Sequence, residues 1–432
     1  MYKRQVKKYL KLDEEDKQSS LVESKFFINE KGSKEDTGAI ITSAISSYFE
    51  SIGLQGPKEF PLGMLFPTRP FNVHDLYLFI PKPFEETNAK HITKILLAHR
   101  GFKSHDKLPL FEKVKGASQQ KLTITNKALD QDKVRIGVSS WKTPMKSWVA
   151  NVTQKADPNS LDRLIRLCAL SNQILKLAKP PRYLIFPELS IPPAWFMPVA
   201  MKLRRKGVHL IAGVEYHHDQ ARNTVRNQVW AALSYDGLDF PVTVPYVQDK
   251  LRAAIHEEKE LWRYGGKRLE VPKANDSCPC EETKHDLSWD VPPIIQHEDF
   301  YFSLLICSEF TNIQNRAPLT GKIDALIVPE WNQDTESFNA LVESAAADIH
   351  AYIVQCNDRA YGDSRIRVPA KERHERDMIR IKGGLEDYFV VGEINVKELR
   401  QFQSSHRSPD KPFKPVPDGF KIAEYRKTLP KP

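Results

Sequence analysis

The sequence predicts an α/β protein whose sheets are covered by helices, and three observations carry that expectation. Segments such as "RYLIFPELS", "VHLIAGVEY" and "IDALIVPEW" are continuous apolar runs rather than alternating ones, as expected of strands buried on both faces. Segments of helical period lie between them, "DPNSLDRLIRLCALSNQILKLA" and "ESFNALVESAAADIHA" among them. The chain has 432 residues, 41% apolar and 28% charged, an ordinary soluble composition with enough length for a sizeable core and two or three domains.

Taken in order, residues 1–130 form an N-terminal region with no motif that points to a function. Within it, "TGAIITSAISSYFESIGL" reads as an amphipathic helix and "DLYLFIPKPF" as a short strand stopped by proline. "NAKHITKILLAHRG" reads as a helix ending at Gly101, and polar "KGASQQKLTITNKALDQDK" as a linker. The main domain is expected over 131–399. It opens with the strand "VRIGVSSW", followed by a helix whose stripe is read as Leu161, Leu164, Ile165, Cys168, Leu175 and Leu177. The strand "RYLIFPELS" comes next, then the helix "IPPAWFMPVAMKLRRKG" closed by Gly207. "VHLIAGVEY" and "QVWAALSYDG" are strands, the second ending in the hairpin signal Asp236-Gly237. "YFSLLIC", "IDALIVPEW", "YIVQCND" and "DYFVVGEINV" complete the series. The tail, 400–432, holds eight Lys/Arg against three Asp/Glu, a balance of +5, and is expected to lack regular structure.

Composition excludes several classes. The first residues carry positive charge but no apolar stretch behind it, so no secretory signal is read. No apolar run approaches the ~20 residues of a membrane-spanning helix. Five cysteines, an odd number, fit a reducing cytoplasm better than a disulfide scaffold. The net charge of +9 permits a nucleic-acid or protein partner, although the sequence has no zinc-finger spacing, Walker loop or RNA-binding aromatic signature. "CPCEETKH" gathers Cys278, Cys280 and His285, with His297 further on, but at spacings that do not fit a metal site. His217 and His218 are read as solvated loop residues, Cys356 as core, and the basic clusters at 202–206 and 365–382 as solvated faces.

Three strand ends each present one reactive group: Glu188 in "LIFPELS", Lys250 in "YVQDKLR" and Cys307 in "LLICSEF". Each alone is commonplace. In this order, and at these separations, they resemble the Glu-Lys-Cys triad of the carbon–nitrogen hydrolase (nitrilase) superfamily. The resemblance spans Val134 to about Leu399. "IFPELS" is similar to the family's Pro-Glu motif, and Asn227 stands in the strand before the Asp-Gly hairpin. "EKELWRYGG" places Glu258 where the family's second glutamate stands. Trp331 and Asn332 in "DALIVPEWN", Asn357 after "AYIVQC", and Ser364 in "YGDSRIRVP" follow in order. The chain departs from the family after the cysteine. Ser308 and Glu309 replace the usual Tyr-Asp, and no arginine follows. It departs again at Ala345–Ile349, where an Arg-Ala-x-Glu-Asn pattern is usual.

The resemblance implies a four-layer α-β-β-α sandwich and a homo-oligomer. It implies a hydrolase for a small-molecule amide, or less readily a nitrile, acting without a cofactor through an acyl-enzyme. The catalytic set would be Glu188, Lys250, Cys307 and Glu258, and the substrate pocket would include Ser308, Glu309, Trp331 and Asn332. The other expectation is a module of a larger assembly, such as one in bacterial anti-phage defence, whose N-terminal region and basic tail bind protein or nucleic acid.

Overall fold

The computed structural model describes residues 72–80, 82–100, 108–114, 119–124, 132–236, 241–270, 291–405 and 412–427. Among these, the chain forms a four-layer α-β-β-α sandwich. An eight-stranded sheet runs in the order β1-β2-β9-β10-β11-β12-β13-β14, ending in β13 (Ser364–Arg367) and β14 (Asp377–Ile381). The second sheet runs β15-β3-β4-β5-β6-β7, with β15 (Tyr388–Asn395) at one edge and β8 (Arg268–Leu269) attached to β6. The two pack face to face. The inner faces supply Ile136, Val138, Ile185, Ile211, Val229 and Val244 from one side and Ile295, Phe302, Leu304, Ile327, Val354 and Ile366 from the other.

The continuous apolar runs have the expected cause. In β5 (His209–Asp219), Ile211 faces the other sheet, while Leu210 and Ala212 face helices α4 (Ser160–Lys176) and α5 (Pro193–Arg204). In β11 (Ala325–Glu330), Ile327 points inward, while Leu326 and Val328 lie under α8 (Thr335–Asp348). A strand between two apolar layers has no polar face.

Strands β3 (Lys133–Ser140), β4 (Tyr183–Ile185) and β5 are parallel. So are β10 (Phe300–Leu304), β11 and β12 (Tyr352–Asn357). β6 (Thr224–Tyr235) reverses direction and β7 (Val242–Asp249) reverses it again. The C-terminal ends of β4, β5 and β7 therefore share one edge of their sheet, where α/β folds place their sites.

Several expectations are corrected. "DLYLFIPKPF" contains a helix, α1 (Val73–Phe79), not a strand. Asn72 N–H donates to Asp75 Oδ2 at 2.7 Å, and Val73, Leu76, Tyr77 and Ile80 recur at helical spacing into the core. The expected helix over 88–101 is found as α2 (Glu86–Arg100). The linker is part of the sheet: β2 (Gln120–Ile124) pairs with β1 (Phe111–Lys113) and with β9 (Ile294–His297). The eight-stranded sheet thus begins before residue 131. The helix expected over 37–54 lies outside the described residues, as do Cys278, Cys280 and His285.

The tail also folds. The last helix, α9 (Val396–Ser405), passes the expected boundary, and 412–427 lie along the body, with Phe413, Phe420 and Ile422 buried. Arg426 is fully buried and donates to Asp324, Gln403 and the Gly321 carbonyl. Gly321 has φ +71°, and a Cβ there would meet Lys421 O at 2.1 Å, so glycine is what lets the tail approach. In α4 the buried face is Arg163, Leu167, Leu170, Ser171 and Ile174, whereas Leu161, Leu164 and Ile165 face outward. His217 and His218 stand in β5, not in a loop, and His218 is buried. Arg365, in the basic cluster expected to be solvated, is also buried.

Candidate active site

Glu188, Lys250 and Cys307 are all buried, at 3%, 1% and 7% exposure, and near enough to act on one another's charge. Glu188 follows β4 by three residues. The turn that presents it needs Gly213 on β5, where a Cβ would sit 2.4 Å from the Glu188 Cα, and its next residue, Leu189, has φ +52°. Arg163 braces the same loop: it donates to Ser190 O at 3.0 Å and to Asp157 and Glu215 at 2.8 and 2.5 Å.

Lys250 ends β7. Its Nζ donates to Glu188 Oε1 at 2.8 Å and to Glu257 Oε2 at 2.7 Å. Burial alone would lower the Lys250 pKa, but the charges of Glu188 and Glu257 outweigh it and hold the ammonium well above its usual value. Burial likewise opposes ionisation of Glu257, yet Lys250 and the hydrogen bonds from Asn227 and Tyr216 keep its carboxyl below the ordinary range.

The acid on Lys250 is therefore Glu257, not Glu258. Helix α6 (Ile255–Gly265) begins after Ala254, whose N–H donates to Glu257 Oε2 at 3.2 Å. Glu257 caps this first turn and grips Lys250 together. One residue on, a helix turns about 100°, and Glu258 is exposed.

Cys307 lies at the foot of β10, at the start of a 3-10 turn, Cys307–Thr311, with φ +48°. For a non-glycine residue this conformation costs about 1–3 kcal/mol and persists where the surroundings enforce it. Burial and the Glu188 charge push its thiol well above the usual range, against the pull of Lys250. Glu330 also raises it, and the Trp331 N–H lowers it.

Asn227 was legible only through the resemblance. Its Nδ2 donates to Glu188 Oε1 and Glu257 Oε1, both at 2.8 Å, and so holds the two carboxylates together. Two further participants were not singled out in the sequence. Tyr216 on β5 donates its hydroxyl to Glu257 Oε1 at 2.9 Å. Glu330, at the end of β11, is fully buried and accepts from Gln355 at 2.8 Å; burial first, then the charge of Glu188, raises its pKa well above the usual value. Its one trace was a carboxylate ending an apolar strand.

The residues expected to line a substrate pocket have separate tasks. Trp331 donates its backbone N–H to Glu188 Oε2 at 3.0 Å, and its ring packs on Trp148 with centroids 5.8 Å apart. Trp148 also meets Tyr264 at 5.7 Å, giving an aromatic wall beside the acids. Asn332 donates its N–H to Asn357 Oδ1 at 2.8 Å, joining the loop after β11 to the end of β12. Glu309 is buried with both oxygens bound to backbone N–H groups, and Ser308 lies in the 3-10 turn. Cys356 lies in the core, as expected, its Sγ against Ser139 O and Ile185 O. His297 packs between the sheets, bonded to the Tyr183 hydroxyl at 2.7 Å. Among the described residues, no cluster of His, Cys, Asp and Glu could hold a metal ion, and no helix is long and apolar enough to cross a membrane.

No family model and no curated protein matches the chain. Solved structures similar to it include XC1258 from Xanthomonas campestris, described as a CN-hydrolase superfamily protein, at 13% identity and TM-score 0.41, covering 62% of this chain and 92% of that one. Nit3 from Saccharomyces cerevisiae, described as a member of the nitrilase superfamily, is similar at 14% identity and TM-score 0.41, covering 63% and 94%. A mutant of the Nesterenkonia AN1 amidase is similar at 14% identity and TM-score 0.39, covering 64% and 95%.

Proposed function

We propose that this chain is a divergent carbon–nitrogen hydrolase that cleaves an amide through a cysteine acyl-enzyme. The observation that carries the reading is Lys250, fully buried between Glu188 and Glu257 and electrostatically coupled to a cysteine in a left-handed turn. A structural ion pair needs no thiol beside it.

The resting thiol is neutral, so it needs a base. Glu188 takes the Cys307 proton as sulfur bonds to the amide carbon. Negative charge then develops on the carbonyl oxygen. The Lys250 ammonium and the N–H of Ser308 would stabilise it; such a donor typically contributes about 10²–10³ in rate. Glu188 returns its proton to the leaving nitrogen, the C–N bond breaks, and ammonia or an amine departs. Water, deprotonated by Glu188, attacks the thioester, and the acid product leaves as sulfur recovers its proton. Glu257 and Asn227 hold Lys250 and Glu188 in place throughout. Every proton moves between groups of this chain, substrate and water, so the cycle calls for no cofactor.

The test is the intact mass of the protein after incubation with panels of amides and nitriles. An acyl adduct on Cys307, absent from Cys307→Ala, is expected, with amides reacting more readily than nitriles. Labelling and turnover that survive Cys307→Ala would overturn the mechanism.

A further inference from the structure

Glu309 stands where the chain leaves the family pattern, and its geometry assigns it a task. Its two carboxylate oxygens reach two different segments. Oε1 accepts the N–H of Leu251, the residue after Lys250, at 2.7 Å. Oε2 accepts the N–H of Ile306, the residue before Cys307, at 3.0 Å. One side chain thus ties the lysine-bearing end of one sheet to the cysteine-bearing end of the other. We propose that Glu309 is a positioning residue whose carboxylate holds Lys250 and Cys307 in register, and whose protonation releases that hold. The inference rests on the hydrolase reading of this centre.

The chemistry follows from donor counting. A carboxylate offers acceptors on both oxygens and no proton of its own. Protonation turns one oxygen into a donor facing an N–H group, and one of the two ties weakens. The groups around Glu309 set where this happens. Burial raises its pKa to about 7 against the pull of its two N–H partners. Of the neighbouring charges, Lys250 favours ionisation and Glu188 opposes it. On β7, the Tyr246 hydroxyl, held neutral by burial, is bonded to Gln248, and Asp249 is paired with Arg226. Gln248, Asp249, Leu251, Leu305 and Asn315 line the small cavity that Glu309 also borders, and Asn315 donates to the Glu309 backbone oxygen rather than to its carboxylate. The two ties therefore change within the neutral range.

The experiment compares alkylation of Cys307 by iodoacetamide in wild type and Glu309→Gln, located by peptide mass mapping, from about pH 5.5 to about pH 8.5. The side-chain amide of that variant mimics the protonated acid at every pH. The ratio of wild-type to variant rate should stay near unity at the acid end and climb through about pH 7 to about tenfold. A ratio that is flat with pH would overturn the proposal. Hydrogen exchange at the Leu251 and Ile306 amides in wild type reads the same ties without any variant. Protection that rises through about pH 7, after correction for intrinsic exchange, is expected, and constant protection counts decisively against the clamp. If those amides show the rise while no amide or nitrile forms an adduct on Cys307, the hydrolase reading fails and the clamp stands.

Discussion

The molecule contains two buried charge clusters of opposite design. At the candidate active site, one cation, Lys250, sits between two acids, Glu188 and Glu257. Beneath the tail, one acid, Asp324, sits between two cations, Arg400 and Arg426. In the second cluster Asp324 accepts from both guanidinium groups and from the Tyr301 N–H, and Arg400 also reaches Asp299. In the first, the same close pairing surrounds a thiol in a left-handed turn, with Asn227 Oδ1 and Glu330 Oε1 buried and unpartnered. Unpartnered buried polar atoms are costly and concentrate where function demands them. The difference teaches that buried charge alone does not mark a site. An ion pair joined to a nucleophile and to unsatisfied groups does.

This contrast can be broken by experiment, and the largest effect should come from its centre. Cys307→Ala should lower turnover by at least about 10⁴-fold, while thermal unfolding shows the fold retained. Next in size, Arg426→Ala should destabilise the fold by about 3–5 kcal/mol, because it strips one partner from a buried acid. Denaturant unfolding measures that loss, and alkylation of Cys307 in the protein that remains folded should proceed at the wild-type rate. A fall in Cys307 reactivity matching the fall in stability would mean that the clusters are not independent.

The pH dependences should have opposite signs. Burial opposes ionisation of Asp324, but Arg400 and Arg426 prevail and hold its pKa below the ordinary value. A depressed carboxylate stabilises the fold above its unfolded pKa of about 3.9 and loses that contribution as pH falls through the folded pKa. Acid unfolding should therefore begin below about pH 4, and Asp324→Asn should flatten that limb in melts recorded against pH. Glu309 runs the other way. Its raised pKa means that global unfolding, which returns the carboxyl to water, becomes easier as pH rises from about 4.3 toward about 7, even as the ionised form completes the local ties to Leu251 and Ile306. The smallest effect concerns α4. Ile165→Ala, on the outward face, should change stability by no more than about 0.5 kcal/mol, whereas Leu167→Ala, on the buried face, should cost about 2–5 kcal/mol. Chemical denaturation distinguishes them directly.

The α4 comparison also shows why part of the fold was hard to read. Helix α4 carries two apolar stripes, and periodicity alone cannot rank them. The outward one, Leu161, Leu164 and Ile165, was the more conspicuous. The structure buries the other, whose Leu167, Leu170 and Ile174 pack with Leu184, Leu210 and Leu203 of the sheet and α5, and Arg163 on the same face reaches the Glu188 loop. "DLYLFIPKPF" went wrong for a related reason. Short apolar runs fit strand or helix equally well, and packing of α1 into the core made it a helix. "QKLTI" looked like linker because an added strand takes its stability from its neighbour's open hydrogen bonds, which local sequence does not display. Glu188, Lys250 and Cys307 stood out in the sequence because each stands where an apolar run stops. Glu257 did not, since adjacent glutamates are distinguished only by the phase of a helix whose first residue the sequence left open.

By itself, then, the sequence determined the layered α/β class, most of the strands and the order Glu188, Lys250, Cys307, because these depend on local apolar runs and their ends. Only the tertiary structure decided which glutamate reaches Lys250, that Tyr216 and Glu330 join the centre, and that the basic tail locks onto Asp324. Those outcomes depend on which faces meet across two sheets, between residues far apart in the chain. The physical reason is that a buried charge is tolerated only with its partner in place. The identity of that partner is a property of packing rather than of any segment.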